Sequence, residues 1–254
     1  MKRGAIFLGI AALAAAAAAG EIPLAERRSG YEFMGRDTRA MQDEDATNPG
    51  TLWLLDGEAL WSRKAGERSC ADCHGDASSS MKGVATRYPA VDAKGRLLNL
   101  EQRINECRVE RQKAPALAYE SRDLLALTAY VARQSKGLPI DLKIDAKTKD
   151  SLEAGRAAFF RRQGQLNLSC SQCHDDRWGI KLAGNTIPQA HPTGYPIYRL
   201  EWQGMGSLQR RLRNCFIGVR AEPYAYGSKE FAELELYLMW RARGMKLETP
   251  AVRP

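Results

Sequence analysis

Cys70-Ala71-Asp72-Cys73-His74 and, 100 positions later, Cys170-Ser171-Gln172-Cys173-His174 decide how this chain is read. Both are C-x-x-C-H, the attachment signature of a c-type heme. The spacing has a chemical reason. Two thiols add to the two vinyl groups of the porphyrin, and the next residue brings an imidazole to the iron. One such motif could arise by chance, but two in one chain are a strong signal. Three disulfides from the six cysteines would leave both trailing histidines unexplained. A zinc site would need four thiols or imidazoles closing on one ion.

Working outward to the N-terminus, Lys2 and Arg3 open a run of mostly Ala, Ile and Leu that reaches about Ala19. Small residues at Ala18, Ala19 and Gly20 suit a signal peptidase, so residues 1–20 read as a secretory leader. The run is short for a membrane span, which takes about 20 apolar residues, and no later segment is apolar enough for stable membrane insertion. The expected compartment is a bacterial periplasm. Loss of Lys2 and Arg3, with no acid, lowers the formal charge from +8 to +6. No aromatic and basic interleaving tracks a nucleic acid strand. The positive balance instead suits anions or acidic protein partners.

Other features recur at nearly the motif spacing. Helical patterns precede each motif, Gly57 to Trp61 in the first half and Ala154 to Phe160 in the second. Downstream, Leu100-Glu101-Gln102-Arg103-Ile104-Asn105-Glu106-Cys107 parallels Leu208-Gln209-Arg210-Arg211-Leu212-Arg213-Asn214-Cys215. Each half closes on an amphipathic helix, Ser121 to Gly137 and Ser228 to Gly244, with glycine as its stop signal. Leu124, Tyr130 and Gly137 match Phe231, Tyr237 and Gly244 at a constant offset. This order is that of a small class I cytochrome c. The expected fold is therefore mainly α, two tandem class I cytochrome c-like domains, each binding one covalent heme c. Residues 21–145 form the first domain, 146–254 the second, with a join near 138–150. Residues 21–50 lack clear periodicity and are expected to wrap the first domain.

Each iron needs a sixth ligand or an open site. There are three histidines; His74 and His174 are spent on the motifs, which excludes bis-His ligation of both hemes. The remaining one, His191, reads as a surface residue. Met81 follows its motif too closely to cross the ring, and Met205 reads as packing or loop. Cys107 and Cys215 sit at equivalent positions, where a distal loop must pass. A thiolate there favours ferric iron and lowers the potential. A Cys107–Cys215 disulfide is disfavoured, because equivalent residues of tandem domains lie further apart than the Cα separation of about 7 Å that a bridge allows.

The two motifs, the extra cysteine in each half and the run Trp202-Gln203-Gly204-Met205-Gly206-Ser207 leading into Leu208 to Cys215 resemble the diheme A subunit of the SoxAX cytochromes. Arg220-Ala221-Glu222-Pro223-Tyr224-Ala225-Tyr226-Gly227-Ser228 fits the same pattern. The resemblance spans essentially the whole mature chain. It implies an oxidative S-thiosulfotransferase that couples thiosulfate to a cysteine of a SoxYZ-type carrier and passes two electrons to cytochrome hemes. It also implies a small monoheme SoxX-like partner in a heterodimer. By this resemblance Cys215 is both axial ligand and catalytic sulfur, in the family often a persulfide. Arg211 matches the substrate-binding arginine, and Cys107 matches the ligand of the first heme.

The residues make chemical sense of that role. If 208–216 is helical, Arg211 and Cys215 stand one turn apart and face the same way. A guanidinium can clamp the oxygens of an anion such as thiosulfate with paired hydrogen bonds. Arg103 stands in the same relation to Cys107, so spacing alone does not single out Arg211. Two other functions remain open on the sequence: a thiosulfate dehydrogenase forming tetrathionate, and a diheme module that only transfers electrons.

Overall fold

The computed structural model describes residues 21–254. The leader read over residues 1–20 lies outside the described residues. In chain order the helices are α1 (Arg36–Asp43), α2 (Thr51–Ser62), α3 (Ala71–His74), α4 (Ala77–Ser80), α5 (Leu100–Cys107), α6 (Arg122–Arg133), α7 (Lys149–Phe160), α8 (Cys170–His174), α9 (Leu208–Gly218) and α10 (Lys229–Arg241). The strands are short: β1 (Ala90–Val91), β2 (Leu97–Leu98), β3 (Lys181–Leu182), β4 (Asn185–Thr186), β5 (Ile197–Arg199), β6 (Gly204–Gly206) and β7 (Ala251–Arg253). The set α2, α3, α5, α6 recurs as α7, α8, α9, α10, which is the repeated cytochrome c order.

Local chemistry sets the helix starts. Ser121, Ser207 and Ser228 cap α6, α9 and α10 through backbone N–H groups three residues on. Asn99 and Ser169 open α5 and α8 with reciprocal capping boxes. The first and last helices of each half then cross at a glycine. A Cβ on Gly57 would strike the Ala126 carbonyl and Tyr130, and one on Gly155 would strike the Glu233 carbonyl and Tyr237. The pairs correspond along the repeat, so α2 meets α6 as α7 meets α10. Phe159, Phe231, Leu124 and Leu234 are fully buried behind these crossings.

The halves share more than a linker. Met239, Ala242 and Leu247 of the second half pack into the cluster built around Trp61, Val131 and Ala132 of the first. The chain after α6 pairs with the chain after α10: Ile140 N–H donates to the Met245 carbonyl, and Gly244 N–H to that of Ile140, both at 2.9 Å.

The expectation that residues 21–50 wrap the first domain needs correction. They pack chiefly on the second half and the C-terminal strand. Gln42 accepts from Val252 N–H at 3.0 Å, and Asn48 donates to the Pro250 carbonyl at 2.9 Å. Arg28 N–H donates to Gln189 at 2.7 Å. The first half is reached through Asp45, which pairs with Arg133 at 2.7 Å. The reason is an open edge: β7 lies parallel to β5 at the edge of the sheet β6-β5-β7, and the buried Gln42 and Asn48 side chains take up the Val252 N–H and the Pro250 carbonyl there.

Candidate active site

The second half holds a cavity lined by His174 from α8, Arg211 and Cys215 from α9, and Leu238 from α10. Its remaining walls come from the loop at 185–199, from Arg253 and Pro254, and from Gly30, Phe33 and Met34 of the N-terminal extension. The α8 helix carries the motif, so Cys170, Cys173 and His174 sit on one short turn. His174 Nδ1 is 2.6 Å from the Pro188 carbonyl, which fixes Nδ1 as the donor and leaves Nε2 as the ligand nitrogen. Burial, with Arg211 and Arg241 adding to it against the hydrogen bond to Pro188, pushes the His174 pKa down to about 4, so the ring is neutral as a metal ligand must be. A thiol pair and a neutral imidazole on one turn are what a c-type heme requires, and Cys215 across the cavity from α8 offers a further donor to the iron. The residues fit the group.

The condition placed on the spacing is met. Residues 208–218 are helical, and Arg211 and Cys215 both line the cavity. Desolvation works against the Arg211 charge, but the fields of Cys215, Tyr195 and Glu201 outweigh it and hold its pKa raised. Among the described residues no side chain forms an ion pair with Arg211. Its counterpart does not share that freedom. Arg103 donates to Glu106 at 2.5 Å, and Arg96 joins the same carboxylate. The second half carries Asn214 where the first has Glu106.

The first site is more open. His74 and Cys73 are exposed, and Gln112 donates to Cys70 Sγ at 3.3 Å. Cys107 lies near enough to Cys70 and Cys73 to act on them electrostatically, at the end of α5, where a π-helical turn over Arg108–Gln112 follows. All six cysteines are unbridged, Cys107 and Cys215 included.

One residue stands differently from the reading of the sequence. His191 is not at the surface; it lines the second cavity, 7% exposed, with Nδ1 3.0 Å from the Arg28 carbonyl. The extension that covers it is remote in the chain, so the local sequence alone reads as exposed. Met205 is buried in β6 and outside that cavity, in line with a packing role. The sequence did not reveal Arg199, Arg253 or the extension residues as cavity wall. Their placement depends on pairing between distant segments that no local motif encodes.

Two cytochrome c-like units in tandem, the second with a histidine, a cysteine and an unpaired arginine around one cavity, define the class. A family model described as SoxA/TsdA, cytochrome c domain, matches residues 56–140 and again 154–247, and the chain belongs to that family. It is 38% identical over 235 residues to the L-cysteine S-thiosulfotransferase subunit SoxA of Pseudaminobacter salicylatoxidans, covering 91% of this chain and 82% of that protein. With the protein of the same name from Rhodovulum sulfidophilum it is 36% identical, over 90% of this chain and 80% of the relative. The crystal structure of SoxXA from P. pantotrophus superposes with a TM-score of 0.87 at 32% identity, covering 90% of this chain and 87% of that one. The similarity places the chain on the SoxA side of its family, and its cytochrome c domains imply heme c.

Proposed function

We propose that the chain carries two covalent hemes, at Cys70/Cys73 with His74 and Cys107 as axial ligands, and at Cys170/Cys173 with His174 and Cys215. We further propose that it is the catalytic subunit of a transferase that oxidatively joins thiosulfate to a cysteine thiol of a SoxYZ-type carrier. The partner is a monoheme SoxX-like cytochrome in a heterodimer, and the compartment is the periplasm. The observation that carries the reading is the unpaired, cavity-facing Arg211 one helical turn from Cys215, where the equivalent Arg103 is neutralised.

The overall step balances as thiosulfate plus the carrier thiol giving the carrier S-thiosulfonate, one proton and two electrons. A sulfur–sulfur bond forms and the carrier S–H bond breaks. Heme iron, when bound, would supply the one-electron acceptors. Arg211 binds the sulfonate oxygens and holds the sulfane sulfur toward Cys215. Cys215 offers the reacting sulfur, as thiolate or persulfide. The wall formed by Gly30, Phe33, Met34 and His191 keeps bulk water from the opposite side of the cavity.

A thiosulfate dehydrogenase forming tetrathionate is the second reading. Incubation of the heme-loaded protein and its cytochrome partner with thiosulfate, with and without carrier, separates them. Carrier-dependent heme reduction and a carrier mass gain of one thiosulfonate support the transferase. Tetrathionate formed without carrier overturns it.

A further inference from the structure

The two halves support their motifs differently. In the first, Trp61 Nε1 donates to the Gly75 carbonyl at 3.0 Å, a neutral hydrogen bond at the exit of α3, and the indole lies 5.8 Å from the His74 ring. The glycine crossings and the two motifs align the halves: by the crossings Trp61 corresponds to Phe159 and Gln134 to Arg241, and by the motifs Gly75 corresponds to Asp175. Phe159 has no N–H to donate. Over its ring, 4.5 Å from the centroid, lies the Arg241 guanidinium. Arg241 reaches Asp175 Oδ1 at 2.5 Å and the Gln189 carbonyl at 3.4 Å. Both charged side chains are withdrawn from solvent, 3% and 15% exposed.

These contacts grip both supports of His174. Asp175 is the next residue in the chain, and Gln189 follows Pro188, whose carbonyl accepts from the imidazole. Gln189 also accepts from Arg28 N–H and donates to the Glu26 carbonyl, so the grip extends to the segment that covers the cavity. Asp175 Oδ2 has no hydrogen-bond partner among the described residues, which makes the carboxylate dependent on Arg241.

We infer that Arg241, paired with Asp175 over Phe159, is a positioning residue of the second heme site: it orients the His174 side and places there a buried ion pair that the first site lacks. This rests on the two-heme reading above. A buried pair of this kind holds only while both charges are present, because a lone buried charge carries a large desolvation cost. Near an iron it also acts electrostatically: the cation favours the ferrous state and the anion the ferric.

The test is an EPR-monitored redox titration of the heme-loaded full chain, at one pH, for Asp175→Asn, Arg241→Gln, Arg241→Lys and the double Asp175→Asn/Arg241→Gln. Asp175→Asn should raise the potential of the second heme and Arg241→Gln should lower it. The double variant should return toward the parent, and Arg241→Lys should stay nearer the parent than Arg241→Gln. The first heme should not move in any of them. Shifts of one sign in both single variants, equal shifts at both hemes, or no shift would overturn the inference. If Arg241→Gln loses the second heme during maturation, the near-isosteric Asp175→Asn decides alone, and an unchanged second potential there ends the idea. Intact mass guards the underlying reading: a parent chain carrying one heme rather than two contradicts the two-heme reading, not the role of Arg241.

Discussion

Arg103 and Arg211 differ in burial and in one neighbour. Glu106 neutralises the first, while Asn214 leaves the second facing a cavity with only the field of Cys215, Tyr195 and Glu201. Arg211→Ala is therefore expected to lower carrier modification by about 1.5–3 kcal/mol of lost charge-assisted hydrogen bonding. That is about a tenfold to hundredfold fall in rate at 1.36 kcal/mol per decade. Arg211→Lys should recover only part, because an ammonium keeps the charge but not the fork. Arg103→Ala should leave turnover within about twofold, an effect of about 0.4 kcal/mol. A second expectation separates the cysteines. Cys215→Met should retain heme, since methionine still ligates iron, yet abolish carrier modification. Cys107→Met should shift one potential and keep much of the turnover. Carrier mass after reaction reads both, and full modification by the Cys215 variant would end the catalytic-cysteine assignment.

At the scale of elements, the α2–α6 and α7–α10 crossings set where the motifs stand relative to the cysteines of α5 and α9. Each crossing is close because a glycine meets a backbone carbonyl, and a carbonyl cannot move aside as a flexible side chain can. Gly155→Ala should cost about 2 kcal/mol of overpacking. For a chain of this size that lowers the melting temperature by about 4–8 °C. Gly218→Ala at the end of α9, with nothing within 4 Å of the added Cβ, should be neutral to slightly stabilising and serves as the control. Thermal melts monitored at the heme Soret band compare the two. Equal melting temperatures would mean that the crossing has room the structure does not show.

On the scale of the whole molecule the halves meet over buried carboxyls. Glu235 accepts from Gln209 at 2.6 Å and from Asn99 at 3.2 Å. Burial, with Glu101 opposite, pushes its pKa up to about 8. Burial likewise raises Glu101 to about 7, with Glu120 adding to it, and Tyr119 donates to Asn99 Oδ1 at 3.2 Å, closing the group. These acids keep protons in the folded state that the unfolded chain releases near pH 4.5. Stability should therefore fall as pH rises from that value to about 8 and then level off. Glu235→Gln should remove much of this slope and stabilise the protein at pH 8 more than at pH 5.5. Melting curves at the two pH values test it; a parent protein equally stable at both would refute it.

Short-range chemistry made much of this protein legible in its sequence. The two C-x-x-C-H motifs, the offset matching Cys107 to Cys215 and the serine-capped helices are local patterns, and local patterns survive reading along the chain. So did the helical turn joining Arg211 to Cys215. Which arginine is free, however, was decided by a glutamate clamped between Arg96 and Arg103, and by its absence from the second half. Residues 21–50 misled because their partners lie about two hundred positions away, on a strand whose backbone they complete. His191 misled for the same reason, since the segment that buries it is remote in the chain. Pattern and propensity act over a few residues. Burial, ion pairing and electrostatic asymmetry between two copies of one motif depend on distant segments meeting, and only the tertiary structure decided those.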